Sequence, residues 1–268
     1  MRNRNRKGSL RAKQLLEEIG YDEITDIPMK YFVSGLGATL IEEPLNNSDG
    51  KIIIGKTKTL IKINSNIPYA SKKRFTIAHE IGHFLMHKNI EIHNENSNTL
   101  NWFNNTEQQL TKGVQEWEAN NFASELLMPE PIFRKEANGK SFSPELLKYM
   151  SERFKTSITS TVFRYLQLDL HPLLVVFISN GIVKYWSKSP SWYYRVKDIT
   201  KLPPPDISVA KEYIDADYDF IYSGKEKSQN INKSTWCILK EGELDSDFFE
   251  YCIPTKQYKT IISVIWED

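Results

Sequence analysis

The segment His79-Glu80-Ile81-Gly82-His83 gathers two imidazoles and a carboxylate within five residues. On a helix, residues four apart share a face one turn apart. Two imidazoles placed so can reach one tetrahedral zinc ion at about 2.0–2.1 Å. The carboxylate beside the first histidine projects toward the same ion. There it can take a proton from a metal-activated water and pass it to a leaving amine. The pattern therefore predicts a peptide-bond-hydrolysing centre, with His79 and His83 as metal ligands and Glu80 as general base.

Such a centre needs a third ligand. No histidine follows six residues after the second one, because Asn89 holds that place. The downstream candidates are Glu91, His93, Glu95, Glu107, Glu116, Glu118 and Glu125. Glu116 has the best setting. Its helical face also carries Gly113, Asn120, Ala123 and Leu127, and the small Gly113 and Ala123 match the small Gly82 on the motif helix. Small residues on both sides let two helices approach closely, as a ligand supplied across a helix pair requires. Asn120, one turn further, can hydrogen-bond a ligand histidine. Glu118 lies about 200° round the helix and is expected to face solvent or pair with a cation. His87, two turns beyond His79, is expected to be a packed or surface side chain, with a place behind a ligand as the alternative; His93 and His171 read as loop residues. Two histidines and one carboxylate suit zinc, and also manganese or another divalent ion.

The elements that must position these groups are legible from periodicity. A short helix over residues 10–19 is stopped by Gly20. Two strand-like runs, 51–55 and 59–64, follow the turn signal Asp49-Gly50. The motif helix is expected over 71–87, with Ser71 as N-cap after Pro68. An Asn-rich loop over 89–105 precedes a second long helix over 106–127, ended by Pro129 and Pro131. A helical pair occupies 143–168, opened by Ser143-Pro144-Glu145. Beyond 171, Asn180-Gly181 between apolar runs 173–178 and 182–186 reads as a hairpin. Further strands are expected at 235–239 and 260–266. The class is α+β: a small zincin-like metallopeptidase domain over 1–135, a helix-turn-helix-like region over 136–170, and a mixed C-terminal region over 171–268.

The run Arg74-Phe75-Thr76-Ile77-Ala78-His79-Glu80-Ile81-Gly82-His83 is similar to the motif of the ImmA/IrrE family of bacterial zinc metallopeptidases. So is the run from Glu116 to Pro129, Glu-Trp-Glu-Ala-Asn-Asn-Phe-Ala-Ser-Glu-Leu-Leu-Met-Pro. The resemblance implies a site with His79, His83 and Glu116 on zinc, Glu80 as general base and Asn120 behind a ligand. It also implies a protein substrate: members of the family are associated with cleavage of transcriptional repressors, which switches genes on under stress. A GAF-like sensor is the implied C-terminal domain. By analogy with such peptidases, the strand containing Thr59, Leu60, Ile61, Lys62 and Ile63 is expected to be an edge that pairs with extended substrate. The expected outcome is derepression of genes in stress or mobile-element control; the alternative is a metal-binding transcriptional regulator that acts through protein or DNA contacts without cutting.

Composition narrows the partners. A net charge of +1 does not nominate nucleic acid. The basic run Arg2, Arg4, Arg6 and Lys7 reads as a solvated terminus. The helical pair offers only Arg164 as a charged group beside Ser157, Thr159, Ser160 and Thr161, a weak basis for reading DNA. Cys237 and Cys252 form no disulfide framework and are expected to be buried free thiols. Without a signal-peptide pattern or an apolar run of about 18 residues, the expectation is a cytoplasmic protein with no membrane span.

Overall fold

The structure is a computed structural model that describes residues 7–46, 48–87, 112–222 and 228–267. The chain divides into two compact units, residues 1–138 with 149–161, and residues 139–148 with 162–268. Mixed helix and sheet make it an α+β protein, as expected.

In the first unit the helices are α1 (Lys7–Ile19), α2 (Met29–Gly35), α3 (Ala70–Met86), α4 (Lys112–Leu127) and α5 (Glu130–Ala137). Its three strands are β1 (Ala38–Glu43), β2 (Gly50–Ile54) and β3 (Thr59–Asn64), in the order β1-β3-β2. The alternation in β3 works as period-2 patterning should: Ile61 and Ile63 are buried while Leu60 and Lys62 are only partly covered. These isoleucines share one core with Ala78 and Ile81 of α3 and Phe122 and Leu126 of α4. Helix α4 packs against both α1 and α3. Being covered on two sides, it buries Ala119, Phe122, Ala123, Leu126 and Leu127 and has no single apolar stripe.

Several boundaries differ from expectation, each for a local reason. Strand β3 is central, not an edge: β1 pairs with it in parallel and β2 antiparallel. Its main-chain groups from Thr59 to Ile63 are already committed to the two neighbours, so this strand cannot take an added peptide strand. The edges are β1 and β2, and β1 was not foreseen. Helix α3 starts at Ala70, with Tyr69 as an N-cap that makes no side-chain bond, so Ser71 lies inside the helix. Pro129 and Pro131 end α4 but also open α5, whose first turn tolerates proline because its N–H groups have no intrahelical partner. Residues 88–111, including Glu91, His93, Glu95 and Glu107, lie outside the described residues.

Helices α6 (Pro144–Arg153) and α7 (Ile158–Leu168) occur where the helical pair was expected. Ser143 and Ser157 cap them, accepting from Leu146 N and Ser160 N at 3.2 and 3.1 Å. The division between units falls inside both helices.

The second unit holds strands β4 (Leu174–Ser179), β5 (Ile182–Lys188), β6 (Ser228–Asn232), β7 (Asp247–Thr255) and β8 (Thr260–Glu267), with helix α8 (Val209–Asp215). They form an antiparallel sheet ordered β5-β4-β8-β7-β6. Asn180 and Gly181 both take positive φ, 50° and 74°, as a two-residue hairpin turn requires. The expected strand over 235–239 is instead a 3-10 turn, Lys233–Thr235, followed by one bridge between Cys237 and Val196. Glu250 of β7 is fully buried, and burial pushes its carboxyl pKa up. Its oxygens accept from Val209 N, Ala210 N, Trp236 Nε1 and Ser263 Oγ, which ties the start of α8 to the sheet. Cys237 and Cys252 are free and buried, as expected. Among the described residues no helix is long and apolar enough to cross a membrane.

Candidate metal centre

Helix α3 presents His79 and His83, and its C-cap residue His87 continues the four-residue step; all three are buried. Helix α4 runs alongside and brings Glu116 up to the first two. One ligand atom from each of His79, His83 and Glu116 lies within 4.8 Å of the others. His79 Nε2 is 3.2 Å from Glu116 Oε2, and His83 Nε2 is 3.3 Å from Glu116 Oε1. The two Nε2 atoms are 2.9 Å apart. Donors held at about 2.0–2.1 Å by one tetrahedral ion stand roughly 3.3 Å from each other. Each imidazole meets that value to one oxygen of Glu116, and the two nitrogens stand slightly closer, so the donor set fits a small divalent cation.

The electrostatics agree. Two neutral nitrogens facing each other at 2.9 Å cannot both be acceptors without repulsion, and Glu116 Oε1 is buried without a hydrogen-bond partner. A cation among them would satisfy all three at once. Burial opposes ionisation of Glu116, but the two imidazoles beside it outweigh that and hold its pKa far below the usual carboxylate range. Burial pushes the His83 pKa down, favouring the neutral ring that ligates metal.

The close approach of α3 and α4 is set by one pair of small residues. A Cβ on Gly82 would stand 3.2 Å from Ala119 Cα and 3.1 Å from Phe122 Cδ1. The small residue opposite Gly82 is thus Ala119, where sequence reasoning had named Gly113 and Ala123; Gly113 is exposed. Asn120 accepts at Oδ1 from His79 Nδ1 at 2.8 Å. That bond keeps the proton on Nδ1 and turns the Nε2 lone pair toward the cluster.

Glu80 is buried between the two histidines in sequence, 4% exposed. Its carboxylate lies against β2: a Cβ on Gly50 would stand 2.8 Å from Glu80 Oε1 and 2.6 Å from Thr76 Cγ2. The lack of a side chain at Gly50 lets the strand edge settle over this turn of α3. A separate cleft of about 560 Å³ opens around the first turns of α3, between Ser71, Arg74 and Lys155 among others, and does not include the histidines.

Of the two expectations for Glu118, pairing with a cation is the one found: it is buried, because α1 covers that side of α4. It pairs with Lys7 at 2.8 Å and with His87 at 3.0 Å. His87 takes the place behind a ligand, for its Nδ1 lies 2.9 Å from His83 Nδ1. The signal available for it was the continued four-residue histidine step. Glu125, another ligand candidate, accepts from Glu130 N at 3.0 Å at the start of α5. On α7, Arg164 and Thr161 are buried, so that helix offers no exposed cation to a phosphate backbone.

The sequence of residues 33–165 matches the family description Peptidase_M78: IrrE N-terminal-like domain. Residues 33–165 are an IrrE N-terminal-like domain of the peptidase M78 family. The M78 stretch spans β1 through most of α7 and contains the whole histidine–glutamate cluster. A Mycobacterium tuberculosis transcriptional regulator has a similar fold, with a TM-score of 0.61 at 12% sequence identity, covering 97% of this chain and 76% of that one. No curated protein sequence gives a significant match.

Proposed function

We propose that this chain is a zinc-dependent endopeptidase that hydrolyses a peptide bond in a regulatory protein, a helix-turn-helix transcriptional repressor, and so derepresses genes in stress or mobile-element control. The convergence of His79, His83 and Glu116 within 4.8 Å, on the helix that also holds Glu80, carries this reading. Zinc bound there would polarise a carbonyl and acidify a water. Glu80 then takes the proton of the attacking water and returns it to the leaving amine. Asn120 orients His79. The edge of β2 that has no neighbour among the described strands, beside Glu80, replaces β3 as the strand to which an extended substrate adds. In this reading residues 1–135 are the cytoplasmic peptidase domain, 136–170 a helical support, and 171–268 a GAF-like sensor.

The test is the Glu80→Gln protein, which keeps every metal ligand. It should bind one zinc per chain and leave intact a helix-turn-helix repressor encoded beside its gene. The wild type should cut that repressor at one bond, seen by mass spectrometry. Cleavage by Glu80→Gln at the wild-type rate would sink the mechanism. The likeness to a transcriptional regulator favours a second reading, regulation by binding alone. Full regulatory function in cells carrying Glu80→Gln would establish that reading in place of the first.

A further inference from the structure

The two histidines of the cluster are held in unlike ways. His79 leans on a neutral amide, Asn120. His83 leans on a chain of three groups. For His83 to offer the Nε2 lone pair to a cation, its Nδ1 must carry the proton. That Nδ1 faces His87 Nδ1 at 2.9 Å, so His87 Nδ1 must accept. His87 then carries its proton on Nε2, which points at Glu118 Oε2 3.0 Å away and donates to it. Lys7 Nζ donates to the same oxygen at 2.8 Å. Every group along this line has one consistent donor–acceptor assignment, running from the cluster to a carboxylate.

The line is built into the packing. His87 is 4% and Glu118 8% exposed. A Cβ on Gly8 would overlap the carbonyl oxygen of Glu118 and stand 2.9 Å from Phe122 N. Only glycine lets α1 lie so close to α4, and that approach sets Lys7 over Glu118.

We propose that His87 and Glu118 are positioning residues for the metal: they fix the tautomer and orientation of His83 and raise its basicity, with α1 closing the far end through Lys7. This rests on the reading of His79, His83 and Glu116 as metal ligands. It makes metal affinity depend on a helix that lies outside residues 33–165. A histidine inserted between ligand and carboxylate also transmits the carboxylate's pull over two rings, so losing either member should loosen the same ligand.

The experiment measures zinc affinity of the full chain by competition with a chromophoric chelator, and the visible spectrum of the cobalt(II)-loaded protein. His87→Ala should weaken zinc by about 10–100-fold and change the cobalt spectrum. His87→Gln, whose side-chain carbonyl can accept from His83 Nδ1, should recover part of the loss. Glu118→Gln, which keeps the shape and drops the charge, should weaken zinc in the same direction. Adding Glu118→Gln to His87→Ala should cost little more, since both act through one ligand. Lys7→Ala, at the exposed end, should cost less than about fivefold. If His87→Ala fails to fold, the two glutamine variants carry the test. Unchanged zinc affinity and cobalt spectrum in folded His87 and Glu118 variants, even with lowered stability, would overturn the relay. A wild type that binds no zinc would instead overturn the metal-site reading beneath it.

Discussion

Gly82 sets the distance between the helix that carries the histidines and the helix that carries Glu116. A Cβ there would stand 3.1–3.3 Å from Phe122 and Ala119, against about 3.4 Å for ordinary contact. Alanine therefore asks for a shift of about 0.1–0.3 Å, near the tolerance of roughly 0.2 Å in a metal–ligand distance. It also gains about 0.8–1.0 kcal/mol of helix propensity over glycine. Gly82→Ala should keep its stability within about 1 kcal/mol and lose less than tenfold in zinc affinity. Leucine is different. Its next carbon lies about 1.5 Å further out, toward a wall that includes the Ala119 backbone. The helices must then part by on the order of 1 Å, at about 1–3 kcal/mol of stability, and Glu116 leaves the histidine pair. Zinc affinity should fall further than the roughly 10–100-fold expected for loss of a supporting hydrogen bond. Chelator competition on folded protein, checked by circular dichroism, measures both variants. Wild-type zinc affinity in a folded Gly82→Leu protein would refute the claim that this contact positions Glu116.

Gly50→Ala tests the other side of the site. Its methyl falls about 0.8 Å short of ordinary contact with Thr76 Cγ2 and about 0.6 Å short with Glu80 Oε1. Displacing Glu80 by under 1 Å should lower cleavage by up to about 100-fold with zinc affinity unchanged, and equal losses in both would count against it. Asn120→Ala removes the acceptor for His79 Nδ1 and should weaken zinc by about 10–100-fold; an unaltered affinity would show that Asn120 is not orienting His79. Gly55 N donates to Lys58 O on the β3 side, so the alternating Ile54 N–H faces away from β3; proline at Ile54 should lower turnover while zinc stays bound, if that edge takes substrate.

Acid stability offers a separate check within the first unit. Both carboxylate oxygens of Glu23 accept from Arg153, at 2.7 and 3.0 Å, which lowers the Glu23 pKa from its ordinary 4.5. A depressed carboxylate pKa stabilises the fold above the unfolded value, and the gain fades as pH falls through the folded value. The stability gap between wild type and Glu23→Gln should be full at pH 7 and shrink below about pH 4.5. A gap independent of pH would mean that the pair does not contribute through its charge.

How much of this was written in the chain depends on whether the information is local. The histidine step from His79 to His83, the helix that bears it and the hairpin at Asn180-Gly181 rest on periodicity and turn chemistry, which a single sequence displays. Glu116 was also legible, because helical arithmetic groups it with Asn120. The partners of a buried polar group are not local. Glu118 reads as a surface carboxylate or an ion-pair partner, and only α1 covering it decides between them; His87 reads as packed, exposed or behind a ligand until Glu118 is seen beside it. The order of strands is likewise a long-range property: nothing in residues 59–64 says that β1 lies on one side and β2 on the other. Gly8 and Gly50 carry no signal of their own, since what a missing side chain permits depends on what approaches. The sequence alone determined which groups can do the chemistry. Tertiary structure decided what holds them, because burial and hydrogen-bond direction are set by helices brought together from distant parts of the chain.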